Sequence, residues 1–293
     1  MESAESVSVP ASSWALLAVG VGAASTAAIL VRYATDAEPL ALSFWRCAGA
    51  AAALAPFSWV RLGGLGGPTA RLPAYSGLFL ALHFAAWITS LRLTTVAASS
   101  LLVSTTPIFV AVAAWLLWSE RLPSRAWAGI GATVVGVALV GGGGLGGSSL
   151  LGNSLALAGG ATAAGYAMTG RRARLAMGTL EYAVVAYAVA AAALLVACLA
   201  TGAALWGYDA VTWASVAALV AGPQILGHTL INFALRDIDV VSVSISIMAE
   251  PVIATVLALL LLKEAPPPLV VPGGLLLLAG IYVVTTSQAA ARA

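Results

Sequence analysis

The chain has 293 residues, 61% hydrophobic and 8% charged, with a mean hydropathy of +1.01. A soluble domain of this length carries about a quarter charged residues, so this chain cannot cover itself with polar surface and must have lipid as its solvent. A net charge of +2 without a basic tract excludes a nucleic-acid-binding surface, and Cys47 and Cys198, far apart in apolar runs, exclude a disulfide framework or a cysteine metal site.

A helix needs about 20 mostly apolar residues to cross the hydrocarbon core. Punctuation by charge, Pro and Gly predicts ten such helices, at residues 14–33, 40–60, 72–91, 96–118, 126–143, 151–171, 180–201, 211–235, 240–262 and 269–287. Residues 1–10 carry Glu2 and Glu5 but no Lys or Arg, unlike the basic front of a signal peptide, so the first apolar run is expected to stay as a helix. The glycine stretch 141–147 reads as a linker between the fifth and sixth helices. No Lys-Ser/Thr follows it, so it is no phosphate loop. With the N-terminus in the cytoplasm, Arg61, Arg71, Arg121, Arg125, Arg171, Arg172, Arg174, Arg236 and Arg292 fall inside. Arg32, Arg92 and Lys263 fall outside, and Arg46 lies within a span. This bias predicts that both termini are cytoplasmic.

Arg92, Pro107, Glu120, Gly129 and Gly136 recur as Arg236, Pro251, Glu264, Gly273 and Gly280, each 144 positions later (236 less 92) with no gap. The repeat divides the chain into two five-helix halves, 1–143 and 144–293. An odd number of spans turns the second half over in the membrane, and two inverted halves can open in turn to opposite sides. The expected fold is an all-α membrane protein of two inverted five-helix repeats around a central cavity.

The fourth helix reads Thr106-Pro107-Ile108-Phe109, an apolar run, then Trp118-Ser119-Glu120-Arg121-Leu122. The ninth reads Ala249-Glu250-Pro251-Val252, an apolar run, then Leu262-Lys263-Glu264. This pairing resembles the drug/metabolite transporter superfamily, its EamA family in particular, across nearly the whole chain. Within that family the chain looks most like bacterial inner-membrane exporters of amino acids, aromatic ones included. Relatives move sugars, nucleotide precursors, vitamins and drugs on the same scaffold, and fold does not fix substrate.

Glu250 falls near the middle of the ninth span, where an ionised side chain costs several kcal/mol, so it reads as a proton carrier or a partner for a substrate ammonium. A protonated Glu holding two helices together is the alternative. Its counterpart in the first half is Thr106. Pro107 and Pro251 each remove a mid-helix donor, freeing the carbonyls of Val103 and Ile247, and read as hinges or as static kinks. Gln224, His228 and Asn232 make a polar stripe at i, i+4, i+8 on the eighth helix, and His83 and Trp87 stand at i, i+4 on the third, its inverted counterpart. Both histidines are expected to face one cavity, as proton relays, carboxylate partners or interhelical bonds. They sit on different helices without a ligand spacing, so no metal site is expected.

Ser100, Ser104 and Ser246 offer hydroxyls for a substrate or for their own helix backbone. Tyr166 on the sixth helix and Ser25 on the first are expected near the cavity, among Gly20, Gly22, Gly159, Gly160 and Gly165, on helices that read as gates or as tight packing. Glu120 and Glu264, next to Arg121 and Lys263, read as interfacial anchors or loop ion pairs, and Arg92 and Arg236 as turn-forming residues or gate ion pairs.

The expected function is secondary transport: export of amino acids or similar zwitterionic or neutral metabolites by alternating access, with drug export as the alternative. No cofactor is expected. The expected partners are a small-molecule substrate and membrane lipid, with protons as a coupling ion, and the sequence leaves the oligomeric state open. An intramembrane enzyme is disfavoured by the absence of a Gly-x-Ser-x-Gly or metal motif. A channel is disfavoured because the polar residues gather at mid-membrane. With Arg46 as the sole intraspan base, placed near the start of the second helix, a strongly anionic sugar phosphate is not the expected cargo.

Overall fold

The computed structural model describes residues 10–58, 71–118, 122–142, 149–175, 177–234, 238 and 240–290. Arg61, Glu120, Arg121, Arg236, Arg292, the side chain of Asn232 and the body of the 141–147 linker lie outside the described residues. Every regular element among the described residues is a helix. The spans are Ala11–Tyr33, Pro39–Phe57, Leu72–Leu93, Val96–Leu117, Ser124–Gly142, Leu150–Ala173, Thr179–Thr201, Ala210–Ile231, Val240–Leu262 and Val270–Ala290.

Among the described residues nine helices are long and apolar enough to cross a membrane. The sixth, Leu150–Ala173, falls short by composition rather than length: its 24 residues include Asn153, several glycines and terminal Arg171 and Arg172. Its glycines have a packing reason. A Cβ on Gly165 would sit 2.5 Å from the Phe79 ring, and one on Gly160 would meet the Val103 carbonyl at 3.0 Å. The third span lies against the sixth along its length, and the seventh packs on the second and third.

The repeated glycines mark where the two halves meet. A Cβ on Gly129 would lie 2.7 Å from the Gly280 carbonyl oxygen, and one on Gly136 would lie 2.7 Å from that of Gly273. Gly129 and Gly273 are repeat equivalents, as are Gly136 and Gly280, so these are one contact made twice across a pseudo-twofold axis. The fifth and tenth spans touch backbone to backbone there, which only glycine permits.

Three spans are interrupted. The first breaks at Thr26, between helices Ala11–Ser25 and Ala27–Tyr33. The fourth stops at Val103 and restarts at Thr106. The ninth stops at Ile247 and restarts at Ala249. The prolines expected to kink these helices from within instead sit in the opening turns of new ones. A first-turn N–H has no intrahelical acceptor, so proline loses nothing there. The carbonyl of Val103 that Pro107 leaves free accepts the Thr106 hydroxyl at 2.9 Å. The eighth span is not the uniform helix its stripe implied: Val220–Gly227 is a π-helical stretch around Pro223, flanked by α-helices Ala210–Leu219 and His228–Ala234. A widened turn absorbs a ring that would clash in a regular helix, and such bulges recur at functional sites.

One face of the bundle is tied together densely. Asp36 Oδ2 accepts the Asp209 N–H at 3.1 Å, and Thr212 Oγ1 accepts the Asp36 N–H. Asp209 caps the eighth span by accepting the Thr212 N–H at 2.7 Å, and that bond holds its carboxyl below the ordinary range. Trp45, Trp206, Tyr208 and Trp213 cluster beside it, as aromatic side chains do at a membrane interface.

Candidate functional site: a polar cleft at mid-membrane

The breaks and the bulge place polar side chains at the centre of the bundle. Glu250 stands in the first turn of the second half of the ninth span, where an acidic side chain suits the unbonded N–H groups of a helix start. It is half-buried, as are His83, His228 and Tyr166. Ionisable and polar side chains gathered within membrane-spanning segments mark a functional region by default.

His83 bonds through Nδ1 to the Gly159 carbonyl at 2.9 Å. A carbonyl only accepts, so Nδ1 carries the hydrogen and Nε2 is the acceptor of the neutral ring. The ring stacks on Trp87, 6.0 Å between centroids and 5° between planes. The third span thus holds the sixth while presenting one imidazole nitrogen. His228 opens the helix after the π segment and lies within the electrostatic reach of both His83 and Arg46. Tyr166 stacks on Tyr182 at 6.3 Å. Gln224 faces the interior, 1% exposed.

Arg46 is the residue that sequence reasoning set aside, and it stands in the middle of this cluster. It is 3% exposed. Its Nε donates to Gln224 Oε1 at 2.5 Å, and its guanidinium lies over the Phe84 ring at 4.1 Å, with the Trp87 centroid at 5.9 Å. Glu250, Tyr166 and Tyr187 all lie within its field. A buried cation is costly unless compensated, and the aromatic faces and the amide supply part of that compensation. Its signal was present in the sequence: a lone ionisable residue inside a span is functional by default. What hid it was its linear place early in the second span, which says nothing about depth once helices tilt and pack.

Other expectations resolve differently. Ser104 donates to the Ser100 carbonyl at 2.7 Å, and Ser25 to the Val21 carbonyl at 2.7 Å, so both hydroxyls serve their own helices. Ser25 is 1% exposed. Ser100 is buried and Ser246 half-buried, each on the half-helix that precedes a break. Thr106, the repeat counterpart of Glu250, also donates to the Gly160 carbonyl at 3.2 Å, so the first half uses this position to hold a neighbouring span.

Glu264 does not pair with Lys263. Lys263 adopts a left-handed conformation (φ 57°) and donates to the Leu260 carbonyl. Glu264 instead reaches across the bundle. Its Oε2 lies 3.0 Å from Arg32 Nη2, and its Oε1 accepts the Val96 N–H at 2.6 Å. Arg32 also donates to the Thr94 carbonyl at 2.9 Å. These contacts lock together the ends of the first, third, fourth and ninth spans over the cleft. Arg92 donates to the carbonyls of Ala34 and Ala37, in the connection between the first and second spans. A separate hollow between Pro123, Arg125, Tyr282 and Thr286, at the ends of the fifth and tenth spans, is remote from the cleft residues.

The comparisons with known proteins agree with this architecture. A solved structure described only as the crystal structure of a protein matches with a TM-score of 0.65 at 22% identity, covering 96% of this chain and 99% of that one, which shows the shared fold. No curated protein matches the chain. The EamA-like transporter family model matches twice, over residues 11–142 and 150–286, once for each set of five helices. The chain belongs to the EamA-like transporter family, membrane transporters of small metabolites.

Proposed function

We propose that the chain exports small zwitterionic metabolites, amino acids foremost and aromatic ones among them, by alternating access at the central cleft. The observation that carries this reading is the coexistence of one acid and one base in a single mid-membrane cluster. Glu250 and Arg46 feel each other's field. Yet Arg32–Glu264 is the ion pair within 4.0 Å among the described residues, so Glu250 and Arg46 do not form one. An acid and a permanent cation held apart suit the ammonium and carboxylate of one molecule. Trp87, Phe84 and Tyr166 supply an aromatic wall.

In the proposed orientation both termini are cytoplasmic, the repeats divide at residues 143 and 144, and the membrane is the bacterial inner membrane. The Arg32–Glu264 face is then extracytoplasmic, and the conformation described is closed to the outside. The broken fourth and ninth spans are the hinges. His83, His228 and Glu250 are the titratable groups that a proton-coupled cycle would use.

The test is Glu250→Gln, which removes charge and keeps shape. Exchange of labelled amino acids by proteoliposomes should fall at least about tenfold, the loss of ~1.4 kcal/mol for one desolvated charge contact. Undiminished exchange of every amino acid would remove Glu250 from the site. Transport of phosphorylated sugars in preference to amino acids would overturn the substrate class.

A further inference from the structure

Three buried N–H donors around the Arg46 guanidinium have no hydrogen-bond acceptor in the protein: Arg46 Nη1, Gln224 Nε2 and Trp87 Nε1. Their side chains are 3%, 1% and 6% exposed. The three form one group. Arg46 bonds to Gln224 directly, and Trp87 flanks the guanidinium. The amide orientation follows from chemistry. Arginine only donates, so Gln224 turns its oxygen to Arg46 and leaves its nitrogen as a free donor. Neither of the nearby acceptors, His83 Nε2 and the Tyr187 hydroxyl beside Gln224, bonds any of the three. His83 is held through Nδ1 on Gly159, and Glu250 lies beyond ion-pair range of Arg46.

Buried polar groups are satisfied in the great majority of cases, and each exception calls for a reason. Here the exceptions share one sign: all are donors, and one belongs to a permanent cation. A guanidinium presents its N–H groups as a planar fork that matches a carboxylate. A lone phosphate-type anion would draw on several cations, and the cluster holds one. From this geometry we infer that Arg46, Gln224 and Trp87 form the anchor for a substrate carboxylate, with Gln224 also fixing the guanidinium in place. This inference rests on the transport reading above and goes further. It assigns the carboxylate to the second and eighth spans and the ammonium to Glu250 on the ninth, so one substrate bridges both halves of the repeat. A ligand that touches both halves senses their relative motion, as alternating access requires.

Three probes with one shared side chain test it: phenylalanine, phenethylamine, which lacks the carboxylate, and 3-phenylpropionate, which lacks the ammonium. Binding to the full-length protein in nanodiscs is measured by equilibrium dialysis, and folding by size exclusion and melting. The wild type should bind phenylalanine at least about tenfold more tightly than phenethylamine, that factor corresponding to ~1.4 kcal/mol. Arg46→Gln should abolish the difference. Trp87→Phe keeps the ring and removes one donor. It should weaken phenylalanine and phenylpropionate several-fold and leave phenethylamine unchanged, which decides the matter if Arg46→Gln fails to fold. Equal wild-type affinity for phenylalanine and phenethylamine would overturn the anchor while leaving transport intact. So would an equal loss for all three probes in the variants. Binding of phenylpropionate alone, abolished by Arg46→Gln, would uphold the anchor and overturn the zwitterion reading. A folded wild type that binds none of the three would overturn both.

Discussion

Arg32 and Glu264 meet at 3.0 Å and join the first span to the ninth, at the end of the bundle where Thr94 and Val96 connect the third span to the fourth. The pair is 27% and 21% exposed, so water screens it only in part. Because Glu264 also accepts a backbone N–H of the fourth span, opening this face must break several bonds at once.

Neutralising this latch should therefore favour the open state. Glu264→Gln is expected to raise the population open to the Arg32 side about fivefold, on the basis of ~1 kcal/mol for a partly exposed pair. Alkylation of a cysteine placed at Ser100 reads that population. Arg32→Met should act alike, and the double variant should add little, since both remove one interaction. Unchanged alkylation in both would make the pair a passive interfacial contact.

The fifth and tenth spans should tolerate no side chain at their crossing. A Cβ on Gly280 would lie 2.4 Å from Thr133 Oγ1 and 2.5 Å from the Gly129 carbonyl, and one on Gly136 would lie 2.6 Å from the Leu277 nitrogen. Backbone cannot move aside as a flexible side chain does, so Gly136→Ala and Gly280→Ala should each cost about 1–3 kcal/mol and lower the melting temperature in detergent. Gly22→Ala and Gly131→Ala have nothing within 4 Å of the new methyl and should melt at or above the wild-type temperature. Equal melting of all four would show that the crossing is not tight.

Pro107→Ala and Pro251→Ala should slow transport more than they weaken binding. Each restores an N–H next to a break at which the helix has already stopped, at residues 104–105 and at Met248. The restored donor competes for the carbonyl four residues back, that of Val103 or Ile247, and would re-form a continuous helix across the joint. Exchange rate and dissociation constant measured on the same preparations separate the two effects. Normal rates in both variants would leave the breaks static.

A cysteine introduced at Gly144 should react with an impermeant reagent from outside intact cells. The expectation follows from the arginine distribution and from an even number of spans. Labelling only from the cytoplasmic side would invert the topology and with it the assignment of the latch to the outer face.

Much of this molecule is written in one dimension. Apolar run length fixes where helices cross, because lipid offers no partner for a bare backbone. The 144-residue offset gives the two halves, and Pro107 and Pro251 announce interruptions, because an imide nitrogen cannot donate wherever it is placed. Tertiary structure decides what those features mean. The repeated glycines are legible as a pattern, but only packing shows Gly129 against Gly280 and Gly136 against Gly273. Glu264 has Lys263 beside it in sequence, yet a left-handed residue and a wide last turn direct it to Arg32 on another span. Arg46 is 178 residues from Gln224 and bonded to it. Helical periodicity specifies which residues share a face. It does not specify which helix that face meets, at what depth, or what a π bulge does to the register. The spans are therefore determined locally, and the Arg46–Gln224 bond at the centre exists only once distant helices have packed.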